Sequence, residues 1–548
     1  MAKNIKPKTQ STTKNLIDYI SPTAVILLFI IVLTILFRMY SLDIPLERDE
    51  GEYAYAGQLI LDGYPPYQHI YNMKLPGIYY VYAGIMAVFG ETARGIHLGL
   101  LVFNAITIIL VFQLVSQITK KTAATAAAAF YALLSSNQSV LGLSANAEHF
   151  VVLPALLGIL LLLNAMRSHK DWILFFSGLC LGISFVIKQQ GAAYIAFAFI
   201  YLLIYLLRIR PFYLRSIIKQ FAIFSLGIAV PYVLICIILY FYGVFQTFWF
   251  WTMEYAQAYS SIIPFSLGLS NFKQQVVFMF VLSPLIWIMV IIGMILVVTD
   301  RQLKAHRVFI ILFVLFSFLA VCPGLYFRQH YFILFLPVAA LLGGLSANLV
   351  ADIIRKFVSS PMHQHIFLII IICLCALPTL YLQRYVFQLS PVQISQAIYG
   401  EGQPFPESIE IGRIIRSYTK ENDSVAILGS EPQILFYSHR RSATGFIYMY
   451  PLAEPHIYAQ KMQKDMIREI ESSKPRLLVY VNMHFSWAIR PDSQISLLNN
   501  WLHSYQKGYK LIGIVDISKD NTLYNLEPNI VPPKSPNYIA LYERKSNP

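Results

Sequence analysis

The chain has 548 residues, of which 57% are hydrophobic and only 13% are charged, and its mean hydropathy is +0.57. A soluble protein carries about a quarter charged residues, so this composition excludes a soluble globular protein and predicts a polytopic membrane protein. The net charge of +14 does not indicate nucleic-acid binding, because most bases of residues 1–385 lie in short loops between apolar runs, where they encode topology.

Eleven apolar stretches are each about 20 residues long, which is the length that crosses a bilayer. A cytoplasmic N-terminus is favoured, since it places 17 Lys and Arg in the inside loops and eight outside. The shorter apolar run 77–90 is predicted to be a re-entrant or interfacial helix. The predicted spans are 22–41, 96–117, 122–140, 148–166, 171–188, 191–207, 220–242, 274–298, 307–323, 331–350 and 366–384.

This pattern divides the chain into three parts. Residues 1–21 are predicted to be a cytoplasmic segment, and residues 22–385 a transmembrane domain whose outer loop, 42–95, carries an acidic motif. An odd number of spans places residues 386–548 on the outer face of the cytoplasmic membrane as well. A soluble extracytoplasmic α/β domain is predicted there from strand-like runs at 424–429, 477–481, 511–515 and 538–542 and a helical pattern at 457–472.

The outer loop holds most of the acidic residues of the membrane part. Residues 1–385 contain 13 Asp and Glu, and seven of them fall between positions 43 and 91. Carboxylates beside a bilayer are costly unless solvated or paired, so their concentration predicts a functional site, with a solvated loop as the alternative. If residues 49–61 form a helix, Asp49 and Tyr53 share one face of it.

Other polar residues are predicted to meet the same face of the membrane. They are Lys74, Glu148 with His149, Lys188, Glu254, and Arg328 with His330. Several have structural alternatives: Lys74 can snorkel, Glu148 can cap its helix, and Arg328 can neutralise lipid headgroups. His149 is also explained by a structural role, and the tyrosines of the loop by interfacial anchoring instead of sugar or isoprenoid binding.

The order and spacing of these residues resemble a known family. The motifs are Arg48-Asp-Glu-Gly-Glu-Tyr-Ala54, Tyr71-Asn-Met-Lys-Leu-Pro-Gly77, Asn146-Ala-Glu-His-Phe150, Lys188-Gln189 and Arg328-Gln-His-Tyr-Phe332. Together they make the chain similar to the multispanning glycosyltransferases of GT-C type that use polyprenyl-phosphate sugars. These are grouped as family 39 and include protein O-mannosyltransferases and lipid A aminoarabinose transferases.

The resemblance implies an inverting transfer of a hexosyl or pentosyl group. An acceptor hydroxyl attacks the anomeric carbon of a polyprenyl-phosphate monosaccharide, with Asp49 as the general base. Glu50 would share the catalytic work by orienting the acceptor or sugar, and Glu148 is the other candidate for that role. Lys74 and Arg328 would stabilise the leaving phosphate. The remaining substrate-binding candidates are Tyr53, His149, Lys188 and His330.

The expected partners are the lipid-linked donor, a lipid or cell-envelope glycan acceptor and membrane lipids, without nucleic acid. No cofactor is required, because the lipid phosphate leaves as a stable anion, and a divalent cation is left open. One alternative is a transporter or flippase of lipid-linked glycans, which would carry mid-bilayer charges and two related halves. Another is a protein O-glycosyltransferase, although the luminal insert of the mannosyltransferases is missing, and a third is a non-catalytic assembly subunit.

Overall fold

The computed structural model describes residues 22–209, 213–355, 361–400, 402–518 and 521–545. The predicted cytoplasmic segment 1–21 lies outside the described residues. A long helical part is followed by a smaller α/β domain, which confirms the predicted fold class.

The helical part extends to Leu382. Its α-helices in the described residues are α1 (Pro22–Met39), α2 (Arg48–Leu61), α3 (Gly77–Phe89), α4 (Ala93–Ile118), α5 (Lys121–Leu134), α6 (Ala147–Ser168), α7 (Asp171–Ile187), α8 (Ala192–Arg208), α9 (Leu214–Phe241), α10 (Phe245–Trp249), α11 (Ala256–Ser260), α12 (Phe265–Leu282), α13 (Pro284–Thr299), α14 (Arg307–Val321), α15 (Leu336–Arg355) and α16 (Pro361–Leu382). A π-helical turn, Phe250–Tyr255, joins α10 to α11, and a 3₁₀ turn, Gln329–Phe335, leads into α15.

Seven of the described helical segments are long and apolar enough to cross a membrane, and the bent pair α12 and α13 adds an eighth. The protein is therefore a multi-pass membrane protein. The other predicted spans coincide with the shorter helices α5, α7 and α14, so the number of eleven stays a prediction. The run predicted as a re-entrant or interfacial helix is α3, whose 13 residues reach about 20 Å, which is less than a bilayer core.

Two predicted spans differ from the helices observed. The stretch 274–298 is not one straight span, because α12 and α13 meet at 112°. The break lies at Ser283, where Pro284 has no N–H to continue the helix and instead occupies the start of the next one. The stretch 122–140 is helical only to Leu134, after which the chain turns.

Close helix packing in the bundle depends on small residues. A Cβ at Gly182 of α7 would lie 2.4 Å from Ile228 O of α9, and one at Gly293 of α13 would lie 2.1 Å from Leu342 O of α15. These helix pairs approach until their backbones are almost in contact, as small residues allow in membrane bundles.

The C-terminal domain is a mixed sheet with helices. Its helices are α17 (Tyr385–Gln388), α18 (Pro391–Tyr399), α19 (Glu407–Tyr418), α20 (Pro432–Ser438), α21 (Tyr450–Ala453), α22 (Ala459–Ser473), α23 (His484–Trp487) and α24 (Ser496–Tyr505). Its strands are β1 (Ser424–Leu428), β2 (Arg441–Ser442), β3 (Leu477–Asn482), β4 (Tyr509–Ile517), β5 (Thr522–Leu526) and β6 (Tyr538–Arg544).

The strand order is β2-β1-β3-β6-β4-β5. The first three strands are parallel, and β6 runs antiparallel to both β3 and β4. The four predicted strands and the predicted helix, α22, are all present, while β2 and β5 were not predicted. The domain docks on the helical part through α20, which packs against α2.

Candidate active site

Helix α2 begins at the acidic motif because that motif forms its own cap. The Glu47 side chain accepts a hydrogen bond from Glu50 N, and the Glu50 side chain accepts one from Glu47 N, each at 3.1 Å. The reciprocal cap satisfies backbone N–H groups that lack partners at a helix start. It places Asp49 in the first turn, where the positive end of the helix dipole favours a carboxylate.

Lys74 joins two carboxylates of this helix. Its ammonium donates to Asp49 Oδ1 at 2.9 Å and to Glu52 Oε2 at 2.6 Å. The hydroxyl of Tyr79 donates to the other Glu52 oxygen at 2.6 Å, so the buried Glu52 is fully engaged. The ring centroid of Tyr53 lies 4.5 Å from the same ammonium, so Tyr53 and Asp49 share one face of α2.

The contact with Lys74 keeps Asp49 ionised. Burial by itself raises the pKa of Asp49, but the charge of Lys74, followed by those of His330 and Arg328, lowers it well below its ordinary range. Burial lowers the pKa of Lys74, but Asp49 and Glu52 outweigh that effect and raise it above its ordinary value. Asp49 and Lys74 therefore both carry their charges near neutral pH.

A second lysine–carboxylate group lies on other helices. Lys188, directly after α7, donates a hydrogen bond to Glu148 in the first turn of α6. His330 Nε2 lies 3.9 Å from the same Glu148 oxygen, and the Lys188 ammonium lies 4.7 Å from the ring centroid of Tyr331. Glu148 is buried, and its other oxygen has no hydrogen-bond partner in the part of the chain that the structure describes.

Arg328 brings a further positive charge from the segment between α14 and α15. Its side chain is exposed, its Nη2 donates to Tyr259 OH at 3.4 Å, and its guanidinium lies 5.4 Å from the ring centroid of Tyr326. These two rings are stacked, with centroids 4.8 Å apart. Over the described residues, no carboxylate lies within salt-bridge distance of Arg328, so its charge is the least compensated of the three cations.

These groups surround one cavity of about 230 Å³. The predicted site residues that line it are Asp49, Lys74, Lys188, Arg328 and His330. Residues predicted from four separate segments of the sequence therefore line one cavity. Glu254, predicted to meet the same face, is exposed and does not line it.

Glu50 lies behind this cavity and not in it. One of its oxygens accepts a hydrogen bond from Ala145 N at 2.6 Å and lies 2.9 Å from His97 Nε2. Successive residues of an α-helix point about 100° apart, so only one of Asp49 and Glu50 can face the cavity. The position of Glu50 gives it a structural role, and its predicted part in the chemistry has no contact to support it.

Three other predicted residues also lie outside the cavity wall. Tyr53 contacts the Lys74 ammonium, and Glu148 lies behind two cavity residues, Lys188 and His330. His149 is buried, and neither of its ring nitrogens has a hydrogen-bond partner among the described residues. For these three residues, the sequence predicted a position near the site but not the direction in which each side chain points.

Two contributions to the site were not predicted from the sequence. Glu52 belongs to the same acidic run as Asp49, but it was not among the predicted site residues. Aromatic side chains complete the wall: Trp251, Tyr255 and Tyr259 come from the aromatic segment around Glu254, and Tyr448 and Tyr450 come from the C-terminal domain. The aromatic segment around Glu254 could have been predicted to contribute to the site. Nothing in the sequence near Tyr448 and Tyr450 indicates that they line it.

The divalent cation left open by the sequence does not fit this donor set. The described residues contain no group of three or more His, Cys, Asp or Glu side chains arranged to hold a metal ion. The two carboxylates nearest the cavity, Asp49 and Glu52, already share the Lys74 ammonium. No step of the chemistry below is routed through a metal.

Comparison with known proteins supports the fold. Residues 73–240 match the family model of the dolichyl-phosphate-mannose-protein mannosyltransferases. That stretch contains Lys74, Glu148 and Lys188. No curated protein matches the chain.

Several solved structures are similar to the whole chain. The structure of ArnT from Cupriavidus metallidurans in the apo state is 13% identical with a TM-score of 0.54, over 95% of this chain and 98% of that one. ArnT bound to undecaprenyl phosphate matches at 13% identity and a TM-score of 0.53, over 93% and 100%.

The archaeal oligosaccharyltransferase AglB from Archaeoglobus fulgidus, in complex with an inhibitory peptide and a dolichol-phosphate, is 13% identical with a TM-score of 0.50, over 92% of this chain and 75% of that one. The resemblance inferred from the motifs is thus confirmed at the level of the fold, and the chain has the GT-C-like architecture that ArnT and AglB share.

Proposed function

We propose that the protein transfers a monosaccharide from a polyprenyl-phosphate donor to a hydroxyl of a lipid or cell-envelope glycan, on the outer face of the cytoplasmic membrane. The observation that carries the proposal is the cavity itself. It holds an ionised carboxylate, Asp49, together with a cation, Arg328, that has no carboxylate partner among the described residues. A sugar transfer that expels phosphate needs both a proton acceptor and a cation, at different atoms of the substrate.

The reaction is a single displacement. The acceptor oxygen forms a bond to the anomeric carbon while the bond from that carbon to the phosphate oxygen breaks, and the bonding electrons leave with the lipid phosphate. Attack from the side opposite the phosphate inverts the anomeric centre. The hydroxyl proton goes to Asp49.

The low pKa of Asp49 keeps its carboxylate free of protons, so that it can accept the hydroxyl proton. A carboxylate with a low pKa is ionised and ready to accept near neutral pH, but it is a weak base towards a neutral alcohol. The hydroxyl becomes acidic only as its oxygen bonds to the anomeric carbon. Proton transfer to Asp49 is therefore late, and Lys74 serves mainly to hold the carboxylate in place.

The cationic side chains of the cavity suit the phosphate. Arg328 offers a planar set of N–H donors, and Lys188 and His330 lie on the same wall. The two cations, Arg328 and Lys188, stabilise negative charge as it develops on the leaving oxygen. The undecaprenyl phosphate of ArnT and the dolichol-phosphate of AglB are ligands of the same chemical class, which supports a polyprenyl-phosphate donor here.

A transfer assay tests the proposal. The purified protein is incubated with a panel of short-chain polyprenyl-phosphate sugars and an envelope-lipid extract, alongside Asp49→Asn and the matched control Asp62→Asn. Asp62 is an exposed acid at the end of the same helix. We expect transfer by the wild type and by Asp62→Asn, and a loss of about 10²- to 10⁴-fold in Asp49→Asn, the range for a general base.

The alternatives give different outcomes in that assay. No transfer from any donor, together with movement of labelled lipid-linked glycan across vesicles, would establish a transporter instead. Equal transfer by Asp49→Asn and wild type would keep the glycosyltransferase but remove Asp49 as its base.

A further inference from the structure

The helix that carries Asp49 is held by the C-terminal domain along its length. Gly51 of α2 touches α20, since a Cβ there would lie 2.5 Å from the Cβ of Gln433. The hydroxyl of Tyr437 accepts a hydrogen bond from Leu46 N at 2.9 Å, and the hydroxyl of Tyr55 accepts one from Ser442 N at 2.8 Å. The two domains therefore meet directly behind the cavity.

Arg48, the residue before Asp49, is anchored in that domain. Its Nη2 donates to Glu431 Oε1 at 2.6 Å and to Gln403 Oε1 at 2.9 Å, and its Nε donates to Ser430 O at 2.5 Å. Both members of the Arg48–Glu431 pair are largely buried. An arginine that is largely buried and held by three hydrogen bonds allows the backbone next to it little freedom, so the C-terminal domain fixes the first turn of α2.

Tyr448 contacts Asp49 itself. Its hydroxyl lies 3.2 Å from Asp49 Oδ1 and 3.1 Å from Arg48 O, and it can donate to either. A tyrosine hydroxyl carries one proton, so it satisfies one of these acceptors at a time. Its ring is held by stacking on Tyr450, with centroids 5.6 Å apart, and the Tyr450 hydroxyl is in turn bonded to Phe485 O at 2.7 Å.

We propose that Tyr448 is a positioning residue for the base, which makes the C-terminal domain an integral half of the active site. Its hydroxyl donates to the ionised Asp49 before sugar transfer and orients the carboxylate together with Lys74. When Asp49 takes the acceptor proton it becomes a weaker acceptor, and the Tyr448 hydroxyl turns to Arg48 O. The Tyr448 proton stays on its own oxygen throughout. This inference rests on the proposed sugar transfer.

The test compares two tyrosines of the same domain. Tyr448→Phe removes the hydroxyl at Asp49, whereas Tyr437→Phe removes an equivalent interdomain hydrogen bond that does not touch Asp49. Both full-length proteins are assayed for kcat and for the KM of the donor, and their thermal unfolding midpoints are measured. For Tyr448→Phe we expect kcat to fall about tenfold or more, as for one hydrogen bond to a charged group, with the donor KM within about twofold of wild type.

The control separates positioning from docking. If Tyr448 only joined the two domains, both variants would lose activity and stability alike, and that result would overturn the inference. A kcat of Tyr448→Phe within about twofold of the wild-type value would overturn the inference as well. In that case the proposed function would still stand, because the wild type transfers sugar. If the wild type transfers no sugar, the proposed function and the inference about Tyr448 fail together.

Discussion

The two lysine–carboxylate groups of the cavity look alike but differ in their charge balance. Lys74 is shared by two carboxylates, Asp49 and Glu52, whereas Lys188 faces the single carboxylate of Glu148. With all groups ionised, the Lys74 group therefore has a net negative charge, whereas the Lys188 group is neutral before Arg328 adds its positive charge. Under the proposed function, the Lys74 group receives the acceptor hydroxyl, and Arg328 receives the phosphate.

The comparison also revises the role of Lys74. The family resemblance implied that Lys74, together with Arg328, stabilises the leaving phosphate, and snorkelling was the structural alternative for Lys74. In the structure its ammonium already donates to Asp49 and Glu52. We therefore assign its main effect to the base and not to the leaving group, and its contact with phosphate stays a prediction.

Removing the two lysines one at a time is expected to have the largest effects on activity and stability. Lys74→Met leaves two largely buried carboxylates without their cation, and we expect it to abolish transfer and to lower the free energy of unfolding by about 3–5 kcal/mol. Lys188→Met leaves one buried carboxylate, Glu148, without its lysine. His330, whose Nε2 lies 3.9 Å from a Glu148 oxygen, can take up a proton beside it. For Lys188→Met we expect a smaller loss, about 1–3 kcal/mol.

The control for this pair is Lys219→Met, which removes an exposed ion pair with Asp171 and should cost less than about 1 kcal/mol. Denaturant unfolding in detergent measures all three variants. A loss in Lys188→Met equal to that in Lys74→Met would show that the two groups are equivalent, contrary to the proposed asymmetry.

A smaller effect concerns Glu47, at the start of the acidic helix. Burial, followed by the charges of Asp49 and Glu50, raises the pKa of Glu47 to about 8. A carboxyl whose pKa is raised on folding binds more protons in the folded state. Between its ordinary pKa and about 8, stability therefore falls as pH rises, and it levels off above about pH 8.

Glu47→Gln should remove this dependence, since the amide keeps an oxygen to cap α2 but does not ionise. We expect its thermal unfolding midpoint to exceed that of wild type by more at pH 8 than at pH 5. Parallel midpoints across that interval would mean that Glu47 does not titrate there in the wild type. Glu410→Gln, an exposed change in another helix, provides the control.

Local chemistry explains what the sequence could predict. The run from Arg48 to Tyr53 begins at its own cap and is unusually acidic for a membrane loop. Its helix and its candidacy as a functional site could therefore be predicted without knowing which residues pack around it. The strands of the C-terminal domain were equally clear, because buried strands are continuous apolar runs. The choice between Asp49 and Glu50 needed only the helical phase, which Tyr53 four residues on already indicated.

Long-range packing explains what it could not. The contact between Arg48 and Glu431 joins residues 383 positions apart, and that between Tyr448 and Asp49 spans 399. Glu431 lies in the turn Gly429-Ser-Glu-Pro432, which leads from β1 into α20. No local pattern indicates that this turn supports a helix in the membrane part, because the contact depends on how two domains dock.

The most direct test of the separate roles proposed for Asp49 and Arg328 is the binding of a short-chain polyprenyl phosphate without sugar, measured by calorimetry. The proteins are wild type, Arg328→Gln, Asp49→Asn and the control Arg384→Gln, in which an exposed arginine also packs on a tyrosine ring. We expect Arg328→Gln to weaken binding about tenfold to a hundredfold. Asp49→Asn and Arg384→Gln should bind at least as tightly as wild type. Weakening of Asp49→Asn to the level of Arg328→Gln, or wild-type binding by Arg328→Gln, would contradict the account.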